Sequence, residues 1–139
     1  MSKLVIGITG TKTFENKKII KTFIHKLKEH VSPEDELVIV GLGDLHGADK
    51  YVKKYALELG YTYREMNAPH TNKNLYSLMS EGYYAQPYSH KNMFTRNTIF
   101  CQYVNKCVVF DDTNQTDKKV VNLIKQLTKA RKKAIILTP

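Results

Sequence analysis

Three polar loops, each directly after an apolar run, carry the side chains of this 139-residue chain that are best placed to do chemistry. The first loop is Gly10-Thr11-Lys12, the second runs from 41 to 47, and the third from 111 to 116. The lysine of the first loop can neutralise a phosphate. Asp111 and Asp112 of the third loop can accept hydrogen bonds from a ribose or a base. The three loops together indicate a binding site for a phosphate-bearing ligand.

The second loop is the most informative because it joins an apolar run to a sequence that can begin a helix. It reads Gly-Leu-Gly-Asp-Leu-His-Gly and follows Val38-Ile39-Val40. A strand, a tight loop and a helix N-terminus direct backbone N–H groups and the positive end of the helix dipole at one place, which suits a phosphate. The same glycines also fit a turn without a ligand. Their spacing is GxGxxxG, which differs from the usual dinucleotide fingerprint.

The spacing of apolar residues predicts an α/β fold. Five short runs are predicted strands, at 4–8, 37–40, 61–66, 106–110 and 134–137. Apolar residues repeated every three or four positions predict helices at about 16–30, 48–59, 93–103 and around 120–127. This alternation predicts a Rossmann-like three-layer sandwich with a mostly parallel five-stranded sheet. Right-handed crossovers with strand order 3-2-1-4-5 would place the ligand crevice between strands one and four.

Residues 67–92 interrupt this alternation of strands and helices. The segment contains two prolines and four tyrosines, with a weak helix predicted at about 74–79. Long connections inside compact domains are usually functional or disordered, and disordered segments are poor in aromatic residues. We therefore interpret it as a lid or an interface inserted into a single domain, 1–139. Its tyrosines lead us to expect a homodimer or a higher oligomer.

Composition and charge restrict the function classes. The formal charge is +9, from 22 Lys and Arg against 13 Asp and Glu. No apolar run is long enough to cross a bilayer and the N-terminal residues do not form a secretory signal, so we expect a cytoplasmic protein without a membrane partner. Cys101 and Cys107 are expected to be free buried thiols. The histidines lack metal-ligand spacing, so no metal site is predicted. Paired lysines are expected on solvated helix faces, at 17–18, 53–54, 118–119 and 132–133.

Several motifs together resemble the SLOG superfamily, which includes the DNA-processing protein A Rossmann domain and the Lonely Guy phosphoribohydrolases. They are the Gly-Thr-Lys loop, the run Gly-Leu-Gly-Asp-Leu-His-Gly-Ala-Asp-Lys at 41–50, His90 followed by Arg96-Asn97, and Val-Val-Phe-Asp-Asp at 108–112. The nearest pattern is the small YspA-like branch. This resemblance implies a nucleotide or a nucleotide-derived ligand. The Pro-Gly-Gly-x-Gly-Thr-x-x-Glu motif of the Lonely Guy enzymes has no counterpart after the fourth predicted strand.

Three functions fit these features. The first is a binding module for a nucleotide or ADP-ribose-like ligand, acting as a sensor, carrier or sequestering protein. The second is a hydrolase of nucleotide N-glycosidic bonds, and the third is a binder of single-stranded nucleic acid. We favour the first because the hydrolase motif is missing and the lysine pairs are spread along the chain. Enzyme activity is left open, no catalytic residue is assigned, and no cofactor is predicted. The predicted ligand-binding residues are Gly10, Thr11, Lys12, Gly41, Leu42, Gly43, Asp44, His46, Gly47, Asp49, Arg96, Asn97, Asp111 and Asp112.

Overall fold

A computed structural model describes residues 3–139, which form a five-stranded sheet flanked by helices. The strand order is β3-β2-β1-β4-β5 and every neighbouring pair is parallel. The predicted α/β fold class and strand order are therefore confirmed, and the sheet is parallel throughout. The strands are β1 (Lys3–Gly10), β2 (Glu36–Gly41), β3 (Thr62–Glu65), β4 (Lys106–Phe110) and β5 (Lys133–Leu137).

Two pairs of helices cover the two faces of the sheet. On one face α1 (Lys17–Lys26) packs against α2 (Ala48–Glu58), and on the other α4 (His90–Tyr103) packs against α5 (Lys118–Lys129). A 3₁₀ turn at Leu27–His30 follows α1. The three layers arise because each helix has one apolar stripe that it must bury against the sheet.

The central strands are buried on both faces, which explains why their sequences are continuously apolar. In β1, Ile6 and Ile8 pack on the side of α1 and α2. The neighbouring Val5 packs on the opposite side, with residues such as Phe100 of α4 and Leu123 of α5. Alternate residues of one strand therefore supply two separate cores. Cys101 and Cys107 lie in the second core and are free and buried, as predicted.

Residues 74–79 do not form the predicted helix. Ser77 instead pairs with Glu65 in an isolated parallel bridge, and the Glu65 N–H donates to the Tyr76 carbonyl at 2.9 Å. The side chain of Asn74 accepts a hydrogen bond from the Tyr76 N–H at 2.8 Å. Asparagine side chains compete with helical hydrogen bonds in this way, so the prediction was wrong for a local reason. The helical turn of this segment is α3, at Glu81–Tyr84.

Helix boundaries differ modestly from the predicted ones. The helix α4 begins at His90, three residues before its predicted start, because the Ser89 side chain accepts a hydrogen bond from the Asn92 N–H at 3.0 Å. Asp117 caps α5 by accepting from the Lys119 and Val120 N–H groups. By contrast, the N-cap residue of α2 is Gly47, which offers no side chain to cap the helix.

Within residues 3–139, none of the helices has the length and apolar character needed to span a membrane.

Candidate functional site

The glycines of the first two loops allow the backbone segments at the carboxyl end of the sheet to lie directly against one another. Gly47 has a φ of 68°, and a Cβ there would run into the Thr11 carbonyl and the backbone of Lys12. A Cβ on Gly10 would meet the Phe110 carbonyl. The close approach that these two glycines permit is therefore an approach of protein backbone.

The second loop leaves several backbone donors free. The Ala48 N–H at the start of α2 donates to the Thr11 carbonyl at 3.1 Å, and the Asp44 N–H points at Asp49 Oδ2 at 3.4 Å. The N–H groups of Gly43, Leu45, His46 and Gly47 donate no hydrogen bond to any described residue. Because α2 also lacks a side-chain cap, this loop presents unpaired donors at the positive end of a helix dipole.

Two exposed side chains stand beside these donors. Lys12 belongs to the loop that packs on Gly47, and His46 belongs to the second loop itself. Neither side chain has a hydrogen-bond or ion-pair partner between residues 3 and 139. Both can therefore turn toward an anion at the loop without losing an internal contact.

Lys119, from α5, lies beneath the second loop. Its ammonium nitrogen is 2.8 Å from Asp49 Oδ2, 2.9 Å from Asp44 Oδ2 and 3.1 Å from the Gly10 carbonyl oxygen. Its side chain is only 15% exposed. The expectation that the pair 118–119 would lie on a solvated helix face is therefore wrong for Lys119. The helical spacing of 119 with the buried Leu123 and Leu127 is the sequence signal that would have found it.

Burial and mutual electrostatic interactions shift the pKa of each group in the Lys119 cluster. Burial raises the pKa of Asp44, but the ammonium of Lys119 and the more distant guanidinium of Arg96 bring it down to about 2. Burial raises the pKa of Asp49, and the adjacent Asp44 carboxylate adds to this effect while Lys119 opposes it. The pKa of Lys119 is raised because the two carboxylates outweigh the effect of burial. The Lys119 ammonium thus lies between two carboxyl groups below the loop, and Arg96 acts on Asp44 from a greater distance.

Arg96 and Asn97 lie in the second turn of α4, also below the loop. Arg96 is 1% exposed, and its Nη1 donates to the carbonyls of Leu42 at 3.3 Å and Met66 at 3.4 Å. Its Nε donates to the Asn97 side chain at 3.0 Å, and Asn97 in turn donates to Asn122 at 3.1 Å. Among the described residues, Arg96 has no carboxylate partner within ion-pair distance.

The two aspartates of the third loop hold the loops together. Asp112 accepts hydrogen bonds from the hydroxyls of Thr11 at 2.6 Å and Thr13 at 2.8 Å, which ties the third loop to the first. Asp111 accepts from the N–H groups of Thr113 at 2.8 Å and Gln115 at 2.7 Å. These backbone donors help to lower the pKa of Asp111 despite its burial.

A cavity of about 410 Å³ adjoins the second loop. It lies over the ends of β2 and β3, whereas the predicted crevice lies between β1 and β4. At its floor, the Glu65 carboxylate accepts from the Tyr63 hydroxyl at 2.9 Å and faces the Lys53 ammonium at 3.4 Å. Sequence reasoning missed Glu65, although its position at the end of a strand was a usable signal. The cavity is lined by Gly43, Leu45, Lys53, Glu65, Asn67, His70, Thr71, Asn72 and Asn74.

The structure thus brings the predicted residues to one edge of the sheet but gives them different surroundings. Lys12, His46 and Asp112 are exposed, and Gly43 and Asp44 are partly exposed. Gly41 is buried against the Tyr63 hydroxyl, which a Cβ there would approach to 2.8 Å. No group of three or more His, Cys, Asp or Glu within 3–139 is arranged to hold a metal ion. The predicted residues that are buried among protein partners are Thr11, Leu42, Asp49, Arg96, Asn97 and Asp111.

Comparison with known proteins gives a similarity of fold. No protein-family model and no curated protein matches the chain. Among solved structures, the fold is similar to that of the molybdenum cofactor binding protein from the phototrophic bacterium Rippkaea orientalis, with a TM-score of 0.70. The match covers 100% of this chain and 78% of that chain at 14% sequence identity. At this identity the similarity shows a shared fold.

Proposed function

We propose that this protein binds a phosphate-bearing small molecule, either a nucleotide or a nucleotide-derived compound, at the loop from 43 to 47. The observation that carries this proposal is the set of unpaired backbone N–H groups in the loop, at the uncapped start of α2. Such groups satisfy phosphate oxygens without any side-chain movement, and the helix dipole adds to the attraction. The protein then acts as a sensor, a carrier or a sequestering protein.

The charges around the loop favour an anion. The carboxylates of Asp44 and Asp49 would repel a phosphate if they were unpaired, but Lys119 bonds both of them. Lys12 and His46 are then the side chains nearest the loop that have no internal partner. A lysine here supplies a mobile positive charge, which suits a phosphate approached from solvent.

The cavity over β2 and β3 offers room for the remainder of the ligand. Its volume of about 410 Å³ falls in the range of small-molecule sites. Gly43 and Leu45 belong to both the loop and the cavity wall, so one molecule can occupy both. The exposed side chains of His70 and Asn72 provide polar contacts for a base or a sugar. This shape favours a compact ligand over an extended strand of nucleic acid.

Two comparisons support the proposal independently of the cavity. The motifs that resemble the SLOG superfamily fall on the three loops, on the start of α2 and on the first two turns of α4. The structural neighbour from Rippkaea orientalis is named as a cofactor-binding protein, so the same fold serves small-ligand binding there. The loop geometry and the resemblance together support a nucleotide-like ligand for this chain.

We also propose that the protein forms a homodimer through the segment from 67 to 92. This segment exposes Leu75 at 83% and Tyr88 at 58%, and Phe94, just beyond it in α4, is 40% exposed. Large apolar side chains exposed in this way favour association. Light scattering should give a particle of about twice 16.0 kDa at micromolar concentration. A particle of 16.0 kDa from micromolar to millimolar concentration would reject the dimer.

The proposed function is tested by thermal-shift titration with AMP, ADP, ADP-ribose and NAD. A ligand at 100 times its dissociation constant stabilises the folded state by about 2.7 kcal/mol. Replacing Lys12 by Ala should weaken binding without changing the stability of the free protein, because Lys12 is exposed and unpaired. Lys26→Ala is the matched control, since Lys26 is also exposed but ends α1 at the opposite edge of the sheet. If Lys12→Ala and Lys26→Ala bind the ligand equally well, the loop is not part of the binding site.

A further inference from the structure

Two tyrosine hydroxyls in the segment from 80 to 88 are buried without a partner. The Tyr83 and Tyr84 oxygens are both shielded from solvent, and neither makes a hydrogen bond of good geometry to a described residue. The Tyr84 hydroxyl lies near the Ser77 side chain and the Met79 backbone, whereas the Tyr83 hydroxyl has no such neighbour within residues 3–139. Tyr84 as a whole is 8% exposed. Buried hydroxyls are almost always satisfied, and leaving one unsatisfied is unfavourable. Their environment is therefore incomplete without a further polar group.

The same region contains a buried cation with no carboxylate within ion-pair distance among the described residues. Arg96 is 1% exposed and bonds only to two backbone carbonyls and the Asn97 side chain. Its guanidinium is close enough to act electrostatically on both tyrosine phenols. A buried guanidinium normally pairs with a carboxylate or a phosphate. The phenols and the guanidinium are thus complementary to the same missing species, an oxyanion.

The tyrosines are in the right protonation state to act as donors. Burial raises the pKa of Tyr83 to about 12, even though Arg96 opposes this effect. The pKa of Tyr84 is also raised, mainly by burial. Both phenols therefore carry their protons at neutral pH and can donate hydrogen bonds to an anion.

The segment that carries the tyrosines is weakly attached to the rest of the protein. The backbone hydrogen bonds of residues 80–88 are local, such as Tyr83 N–H to Ser80 and Ala85 N–H to Glu81. A bond from the Asn92 side chain to the Pro87 carbonyl, at 2.9 Å, is the exception among the described residues. Segments with few non-local bonds open at low free-energy cost. This segment can therefore move aside to admit an anion and then cover it.

We propose that Arg96, Tyr83 and Tyr84 form a second, covered oxyanion site, and that the ligand of this protein is a diphosphate and not a monophosphate. This inference rests on the proposed function, in which the loop from 43 to 47 holds one phosphoryl group. Arg96 bonds the Leu42 carbonyl, one residue before Gly43, so the two sites adjoin. One phosphoryl group binds the loop donors while its neighbour binds the guanidinium and the two hydroxyls. Nucleoside diphosphates and dinucleotide pyrophosphates belong to this class.

The inference is tested with inorganic phosphate and pyrophosphate as probes, using calorimetric titration. The wild-type protein should bind pyrophosphate about tenfold more tightly than phosphate. Tyr83→Phe and Tyr84→Phe remove only a hydroxyl, so each should weaken pyrophosphate binding about tenfold. Neither substitution should lower the melting temperature of the free protein, because the lost hydroxyls have no internal partner. Tyr88→Phe is the matched control, since Tyr88 lies in the same segment but is exposed.

The outcomes separate this inference from the proposed function. If Lys12→Ala weakens the binding of both anions while the two Tyr→Phe variants bind like wild type, the loop site stands and the covered oxyanion site is rejected. If the Tyr→Phe variants lose pyrophosphate affinity while Lys12→Ala does not, the covered site stands and the loop site is rejected. A melting temperature lowered by Tyr83→Phe or Tyr84→Phe, with unchanged pyrophosphate affinity, would assign the hydroxyls a structural role and overturn the inference. If neither phosphate nor pyrophosphate binds the wild-type protein, both the loop site and the covered oxyanion site are rejected.

Discussion

Replacing Lys119 by Met removes the ammonium that compensates two carboxylates while keeping most of the apolar stem. The ammonium makes three close contacts, at 2.8 Å to Asp49, 2.9 Å to Asp44 and 3.1 Å to the Gly10 carbonyl. Removing one partner of a buried ion pair costs about 3–5 kcal/mol because the other charge is left unpaired. We take about 4 kcal/mol as the expected loss, since the Asp44 and Lys119 side chains both retain 15% exposure. Proteins of this size have a total stability of about 10 kcal/mol.

Urea denaturation followed by far-UV circular dichroism measures this loss, because the chain contains no Trp. With a denaturant slope of about 2 kcal/mol/M, the midpoint of Lys119→Met should fall by about 2 M. Lys118→Met is the control. Lys118 is exposed, so its replacement should change stability by no more than about 0.5 kcal/mol.

A second substitution tests whether the uncompensated charge is the cause. Adding Asp49→Asn to Lys119→Met removes one of the stranded carboxylates, so the double variant should be more stable than the single one. The reasoning is refuted if Lys119→Met loses less than about 1 kcal/mol, or if the double variant loses the sum of the two single losses.

Three further predictions concern a glycine of the second loop, the cap of α5 and the titration of Asp44. Gly47→Ala should lose about 2 kcal/mol or more in urea denaturation, because the residue has a φ of 68° and faces the Thr11 carbonyl, whereas Gly82→Ala meets open space and should gain about 0.5 kcal/mol. Asp117→Ala should lose about 1 kcal/mol by the same measurement, since Asp117 caps α5. In acid titrations followed by circular dichroism, the contribution of Asp44 should be complete above its ordinary pKa of 3.8 and be lost as the pH falls through about 2, because its pKa is lower in the folded protein. An Asp44→Asn variant should show a smaller acid dependence over that interval.

The sheet and its strand order were predictable because they depend on local patterns. The run Leu4-Val5-Ile6-Gly7-Ile8 is continuously apolar, and such a run has few alternatives to a strand buried on both faces. The helical prediction for 74–79 was wrong because the Asn74 side chain accepts a hydrogen bond from the Tyr76 N–H. The spacing of apolar residues gives no information about such a contact.

The surroundings of the candidate site were less predictable because they depend on packing between distant segments. The charge of Lys119 predicts a surface residue, whereas its spacing with Leu123 places it on the buried face of α5. Arg96 was expected near phosphate from its type, but its burial beneath Leu42 follows from how α4 crosses the second loop. Glu65 needed the structure, because only the fold shows that the cavity lies over β3.

The most direct test of the central claim follows the backbone amides of the second loop during ligand addition. In ¹H–¹⁵N NMR spectra, titration with ADP-ribose or ADP should shift the amide resonances of Gly43, Leu45, His46 and Gly47, whose N–H groups have no partner within residues 3–139. Resonances at the opposite edge of the sheet, such as those of Ser32 and Gly60, should stay in place. Saturable shifts at the loop are the predicted result. Binding at the second loop is contradicted if ligand addition leaves the four loop amides unchanged, or if the shifts are confined to the opposite edge.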